Sequence, residues 1–214
     1  MSGAEQAPER VAMNTGEIRV ALAMVDAAGA AALDAGGPEA AMRAICEAYF
    51  PLLGDRQAHL AVGSLKAGER QFFVAGTFFI TPDAKYHMLV GNVNFPPEQE
   101  RLLVPIDGGH PGWVFRNNSK LILKNTDEHG QFRQYLKTSR MGSAIFAPLI
   151  WEGRFLGQII MAAQARHTMR DDDLAILVAC SRVAAAVWVA KRGPAWLAAS
   201  YPPKNAFYVD LQGL

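Results

Sequence analysis

The side chains through which this sequence can do chemistry are five histidines, one serine placed after a glycine, and a few basic residues near a proline-opened turn. The histidines are His59, His87, His110, His129 and His167. No two of them have the i, i+4 spacing that sets two imidazoles on one helix face for a metal. His110 and His129 fall in one stretch with Asp127, where the three either converge on a metal or serve as turn residues. Ser143, His110 and Asp127 are the residue types of a nucleophile, base and orienting acid, which work only at hydrogen-bond distance from one another. There is no Gly-x-Ser-x-Gly elbow to present the serine, and Ser143 opens a strand, where its hydroxyl also suits the strand edge. An anion site has its own logic. Pro111 at the start of a short helix leaves the backbone N–H groups of Gly112 and Trp113 free, and Lys137 and Arg140 add charge or lie solvated on a surface.

Other residues in the same region offer walls. Trp113, Phe115, Phe132, Tyr135 and Met141 suit an apolar pocket or ordinary core packing. Asn92 and Asn94 alternate with Met88 and Val90, and Gln158 sits between Leu156 and Ile160. A polar amide on a buried face must find a partner, which is a ligand, a water or a backbone group. The candidate ligand-binding set is therefore Met88, Asn92, His110, Gly112, Trp113, Phe132, Tyr135, Lys137, Arg140, Met141, Ser143 and Gln158. No residue is assigned as catalytic or metal-binding, and no cofactor is identified.

These residues need a scaffold, and the hydrophobic periods outline one. Residues 1–16 read as a flexible leader. From Glu17 to about Leu33, Ile18, Leu22, Val25 and Leu33 fall near one helical face. Gly36-Gly37 ends that helix and Pro38 opens the next, which carries Met42, Ile45, Cys46, Tyr49 and Phe50 at i, i+3, i+4 spacing. The period then changes to two. Strands are expected at His59–Leu65, Gln71–Ile80, Tyr86–Asn94, Leu102–Ile106 and Leu121–Leu123, followed by a hairpin of Ala144–Trp151 and Phe155–Gln164 closed at Glu152-Gly153. The Gln71–Ile80 strand is apolar on both faces, so it must be covered on both. Short helices are expected at Pro111–Asn117 and over 130–138, and a long one from about Arg170 to Arg192 with Asp171, Asp172 and Asp173 in its first turn. That last helix has two apolar stripes, Leu174 to Trp188 and Ile176 to Ala190. The second stripe requires cover from the N-terminal helix, from a second subunit, or from both.

Composition narrows the class. With 214 residues, 50% of them apolar and 19% charged, the chain can build a full core in one domain. A net charge of +1 provides no basic field for nucleic acid or an anionic membrane. The two cysteines, Cys46 and Cys180, lie in apolar helical patterns without CxxC spacing, so they read as buried free thiols in a reducing cytoplasm. The alanine-rich stretch from Val20 to Ala35 carries Asp26 and follows Glu5, Glu9 and Glu17, which marks it as a structural helix rather than a signal peptide. No apolar run reaches the roughly 18–20 residues that span a bilayer.

The element order resembles the GAF domain, and local motifs carry the likeness. Gly109-His-Pro-Gly112-Trp-Val114 resembles the family's turn into a short helix, and Leu121 to Asp127 its following strand and acidic turn. Gly142-Ser-Ala-Ile-Phe-Ala-Pro148-Leu-Ile resembles its small-Ser strand. Gly153-Arg-Phe-Leu-Gly157-Gln-Ile-Ile resembles its hairpin, and Asp173-Leu-x-x-Leu177 the start of its last helix. The resemblance spans roughly residues 17–192, leaving 193–214 as a C-terminal tail. It implies an α+β fold: a six-stranded antiparallel sheet, terminal helices on one face, and a ligand-enclosing lid from Asp107 to Gly142 on the other. It also implies a small-molecule sensor or regulatory domain in the cytoplasm that forms a homodimer or addresses a signalling partner. The alternatives are an enzyme using His110, Asp127 and Ser143, and a pure dimerisation module. Some branches of the family do not match. No cysteine lies in the lid to attach a bilin, and the GAF-like free methionine sulfoxide reductases use several pocket cysteines where this chain has only Cys46 and Cys180. Lys124-Asn125-Thr126-Asp127 only faintly resembles the cyclic-nucleotide motif.

Overall fold

The computed structural model describes residues 14–130, 132–137 and 140–209. The expected leader lies outside these residues except for its last three. Of these, Asn14 caps and Thr15 and Gly16 begin the first helix, α1 (Thr15–Asp34), which Asn14 and Glu17 open with a reciprocal capping box. After it come α2 (Pro38–Tyr49), β1 (Phe73–Ile80), β2 (Tyr86–Val93), β3 (Leu102–Pro105), α3 (Gly109–Asn117), β4 (Leu121–Leu123), β5 (Ser143–Trp151) and β6 (Arg154–Ala163). The chain closes with α4 (Asp171–Ala190), α5 (Gly193–Ser200) and β7 (Phe207–Tyr208).

All the strands form one sheet in the order β4-β5-β6-β1-β2-β3-β7. The expected sheet had six antiparallel strands, and β1 to β6 pair antiparallel. The seventh corrects that expectation: β7 pairs parallel to β3, with Leu102 opposite Phe207, so the sheet is mixed. The tail is thus tied to the domain. Pro194 opens α5 just as Pro38 opens α2, and Leu197 is buried while Trp196 packs edge-on against Trp188.

The two-sided apolar β1 divides two cores. On one side, Phe73, Ala75 and Phe79 meet Met42, Ile45, Leu177 and Trp188 of α2 and α4, and Phe79 stacks on Trp188 at 3.7 Å between ring centroids. The second stripe of α4 is covered within the chain by α1. Gly29 faces Val183, and the Cys180 thiol rests 3.9 Å from the sulfur of Met24. Among the described residues α4 alone is long and apolar enough to cross a membrane, and half of it is buried in this core. On the other side of the sheet, Val74, Phe78, Leu89, Ala144, Phe146 and Ile160 pack against Val114, Leu123, Leu136 and Met141 from the connection between β3 and β5.

Two expected elements do not form as read. His59–Leu65 is not a strand. A 3-10 turn occupies Ala58–Leu60, and local bonds (Gln57 N to Asp55 Oδ1, Ser64 Oγ to Ala61 O) replace a ladder. Leu60 and Val62 stay exposed. The expected helix over 130–138 is absent at 132–137, because the buried Gln99 takes its backbone groups. The Gln99 amide donates to Tyr135 O at 2.7 Å and accepts from Lys137 N at 2.9 Å.

Candidate functional site

A cavity of about 70 Å³ lies between the second core face of the sheet and the β3–β5 connection. Its floor is Val74, Phe78, Ala144, Phe146, Ile160 and Ala162, and β3 adds Leu102 and Val104. The start of α3 supplies His110 and Pro111. Residues 132–136 and Met141 form the remaining wall.

The wall at α3 is held from below by two buried polar side chains of the sheet. His87 Nε2 lies 3.1 Å from Ile106 O, and Gln158 Nε2 donates to Pro111 O at 3.3 Å and approaches His87 Nδ1 at 3.4 Å. One tautomer satisfies all three contacts: Nε2–H donates to Ile106 O, and Nδ1 accepts from Gln158. Burial pushes the His87 imidazole down to about 4, so it stays neutral at pH 7. The edges of Phe115 and Phe155 enclose it. The turn into α3 is equally close-packed. A side chain at Gly112 would run into the Asp107 backbone, which is why glycine stands there.

The opposite wall, residues 132–137, has no secondary structure and is pinned by Gln99. Its base is anchored by charge. Arg166, with its side chain 3% exposed, pairs with Glu69 and with Asp127 at 3.0 Å. Asp127 also receives Lys66 at 2.8 Å and Arg140 at 3.0 Å. The hydrogen bond from Lys66, aided by Arg166, holds the Asp127 carboxyl below the usual carboxylate range. Arg140 lies over the Phe132 ring at 5.2 Å.

Two polar atoms of residues that line the cavity lack a partner. His110 Nδ1 and the Tyr135 hydroxyl are buried without a hydrogen bond, as is Gln158 Oε1 beneath α3. The Tyr135 hydroxyl sits against Gly108 and Gly109, at the entry to α3. Burial, and then the neighbouring His129, pushes His110 down to about 4, and burial pushes the Tyr135 phenol up. Both are neutral groups, each able to take part in a hydrogen bond. Leaving such atoms unpaired costs about 1–3 kcal/mol each.

The structure thus brings four of the twelve expected residues, His110, Phe132, Tyr135 and Met141, to one cavity. The others lie elsewhere. Met88 points to the opposite face, into the core with Met42. A bulge explains the split between Met88 and Asn92. Thr77 pairs with Gly91 and Phe78 with Leu89, so Val90 is the extra residue, and Asn92 pairs with Gly76 on the cavity's face but outside its wall. Trp113 lines a separate open cleft with His110, Leu121, Leu123, Glu128, His129 and Gly130. Lys137 lies over the Phe207 ring at 4.6 Å. The anion geometry expected at Gly112 is corrected. The helix begins at Gly109, two residues earlier than expected, so Gly112 N is inside the first turn and donates to Gly108 O at 2.9 Å.

The expected triad members do not meet. Ser143 Oγ donates to Leu123 O and accepts from Met169 N, and Asp127 is held by its three cations. His110 instead neighbours His129, at 5.8 Å between ring centroids. Among the described residues no three His, Cys, Asp or Glu side chains converge as a metal site. Cys46 and Cys180 are free thiols on the helix side, both pushed up to about 12 by burial, and neither is a nucleophile at neutral pH. Sequence reasoning missed Gln99 and Arg166, because a lone glutamine after two prolines and an arginine after a hairpin carry no pattern.

A sheet with terminal helices on one face and a cavity-bearing connection on the other is the arrangement of a known sensor and regulatory fold. The chain belongs to the GAF domain family, whose model matches residues 37–188. No curated protein sequence matches it significantly. Among solved structures it is similar to the GAF domain of a phosphoenolpyruvate-protein phosphotransferase from Coxiella burnetii. That pair has a TM-score of 0.67 and 14% identity over 83% of this chain and 98% of that one. The corresponding Acinetobacter domain gives a TM-score of 0.63 and 11% identity over 85% and 97% of the two chains. The free methionine-R-sulfoxide reductase from Neisseria meningitidis gives 0.62 and 14% over 88% and 98%. At these identities the likeness is one of fold.

Proposed function

We propose that this chain is a GAF-type sensor or regulatory domain that takes a small molecule into the cavity beneath residues 132–136 and Met141, a lid over the sheet. The observation that carries the reading is the pair of buried, unpartnered polar atoms, His110 Nδ1 and the Tyr135 hydroxyl, on two residues that line an otherwise apolar cavity. A ligand that satisfies both relieves a cost the domain otherwise bears. Signalling then passes through homodimerisation or a partner protein. Ile18, Leu22 and Leu33 are exposed along one side of α1, and they support a helical dimer face. The two unpaired buried thiols support a cytoplasmic setting.

A thermal-shift screen of uncharged and charged small metabolites, with light scattering of free and loaded protein, tests this reading. A ligand that raises Tm and loses its effect in Tyr135→Phe supports it, and a panel without any stabilising compound counts against it. One observation favours a second reading, a dimerisation module without a ligand: the cavity holds only about 70 Å³. In that case Tyr135→Phe leaves stability unchanged or raises it, and dimerisation proceeds with no small molecule.

A further inference from the structure

We infer that the cavity selects an uncharged molecule with a short apolar body and a single carbonyl, amide or hydroxyl head. The inference rests on the reading of this cavity as the ligand site and adds the chemical class of the occupant.

Charge is the first discriminator. The floor and the β3 side of the cavity are entirely apolar. Of the basic side chains at the described residues of 132–141, and Arg166 beneath them, all but one are engaged elsewhere. Arg140 and Arg166 are paired with Asp127, and Lys137 lies on Phe207. The exception, Arg133, borders the cavity through the base of its side chain beside Gly109 and is exposed to solvent. An ionised ligand would be stripped of water with no counter-charge, which disfavours it strongly. His110 does not supply one, because a positive charge there is opposed by burial and by His129.

Size and hydrogen bonding complete the argument. The cavity of about 70 Å³ is under half of the roughly 150 Å³ that admits benzene, which points to an occupant of a few heavy atoms. The two unpaired groups belong to lining residues that meet at the start of α3, His110 within that helix and Tyr135 with its hydroxyl against Gly109. The phenol donates and accepts, and a neutral imidazole nitrogen does one or the other according to tautomer. A carbonyl or amide head can satisfy both, while the apolar body faces Val74, Phe146 and Ile160.

The test uses the whole chain with 13C-labelled methyl groups, reading Met141, Leu136 and Ile160. Three probes are compared: xenon, propionamide and propionate, the last two differing essentially in charge. Xenon and propionamide should shift these methyl signals, with propionamide saturating in the millimolar range expected of so small a ligand. Propionate should leave them unmoved. Tyr135→Phe should weaken propionamide about five- to tenfold and leave the xenon shifts in place. Propionate binding as well as propionamide would overturn the charge argument while leaving the cavity as a ligand site. Silence from all three probes, xenon included, would remove the ligand site itself. If Tyr135→Phe does not fold, the amide-to-carboxylate comparison in the unmodified chain still decides the question.

Discussion

Acid should weaken this domain through His87 ahead of its carboxylates. The side chain is fully buried between the sheet and α3, and its folded value lies near 4 against an ordinary 6.5. A depressed histidine is kept neutral by the fold, so the unfolded chain binds the proton first. Its contribution to stability is complete above about 6.5 and is lost as pH falls towards 4. From about pH 7.5 to about pH 4.5 the unfolded imidazole passes through some two units of titration that the folded one largely avoids, worth about 2.5 kcal/mol at 1.36 kcal/mol per unit. The assay is urea unfolding of the unmodified chain and of His87→Gln across that range. The variant has its own fixed cost, because Gln158 and Ile106 O lose their arrangement, so the readout is slope rather than intercept. The stability difference between the two proteins should shrink by about 2.5 kcal/mol as pH falls. Parallel curves would refute both the neutral buried imidazole and the tautomer that links Ile106 O to Gln158.

Further outcomes follow from the same geometry. Arg166→Ala strands Glu69 and Asp127 next to an empty buried site and should cost about 3–5 kcal/mol in chemical denaturation, whereas Lys66→Ala, on the exposed side of Asp127, should cost about 0–1 kcal/mol. Gly157→Ala drives a methyl into the Phe78 carbonyl across the β1–β6 pairing and should abolish soluble expression or lower Tm severely. A double Ile18→Glu, Leu22→Glu variant should keep its monomer fold by circular dichroism and lose dimer mass by light scattering if α1 is the dimer face.

Much of the fold was legible because local patterns and global packing agree. The β5–β6 hairpin closes at Glu152-Gly153 as its turn residues require, and β1 is apolar on both faces because a core lies on each. Failures occurred where a non-local partner overrides the local pattern. Residues 132–137 have helical spacing, but their backbone is claimed by Gln99, more than thirty positions earlier in the chain. Met88 and Asn92 are separated onto opposite faces by one bulged residue, Val90, which alternation cannot reveal. The candidate site was only partly legible for the same reason. His110, Phe132, Tyr135 and Met141 stood out as residue types in one stretch, whereas the sheet residues beneath them became a floor only once strand register was set.

The central claim, that this GAF domain holds a small ligand between the sheet and the wall of residues 132–136 and Met141, is tested most directly by a high-resolution crystal structure of the purified chain. The account predicts density beyond ordered water in the cavity, within hydrogen-bond distance of both His110 Nδ1 and the Tyr135 hydroxyl. A cavity closed by Phe132, Leu136 and Met141, with both polar atoms bonded to protein groups, would contradict it.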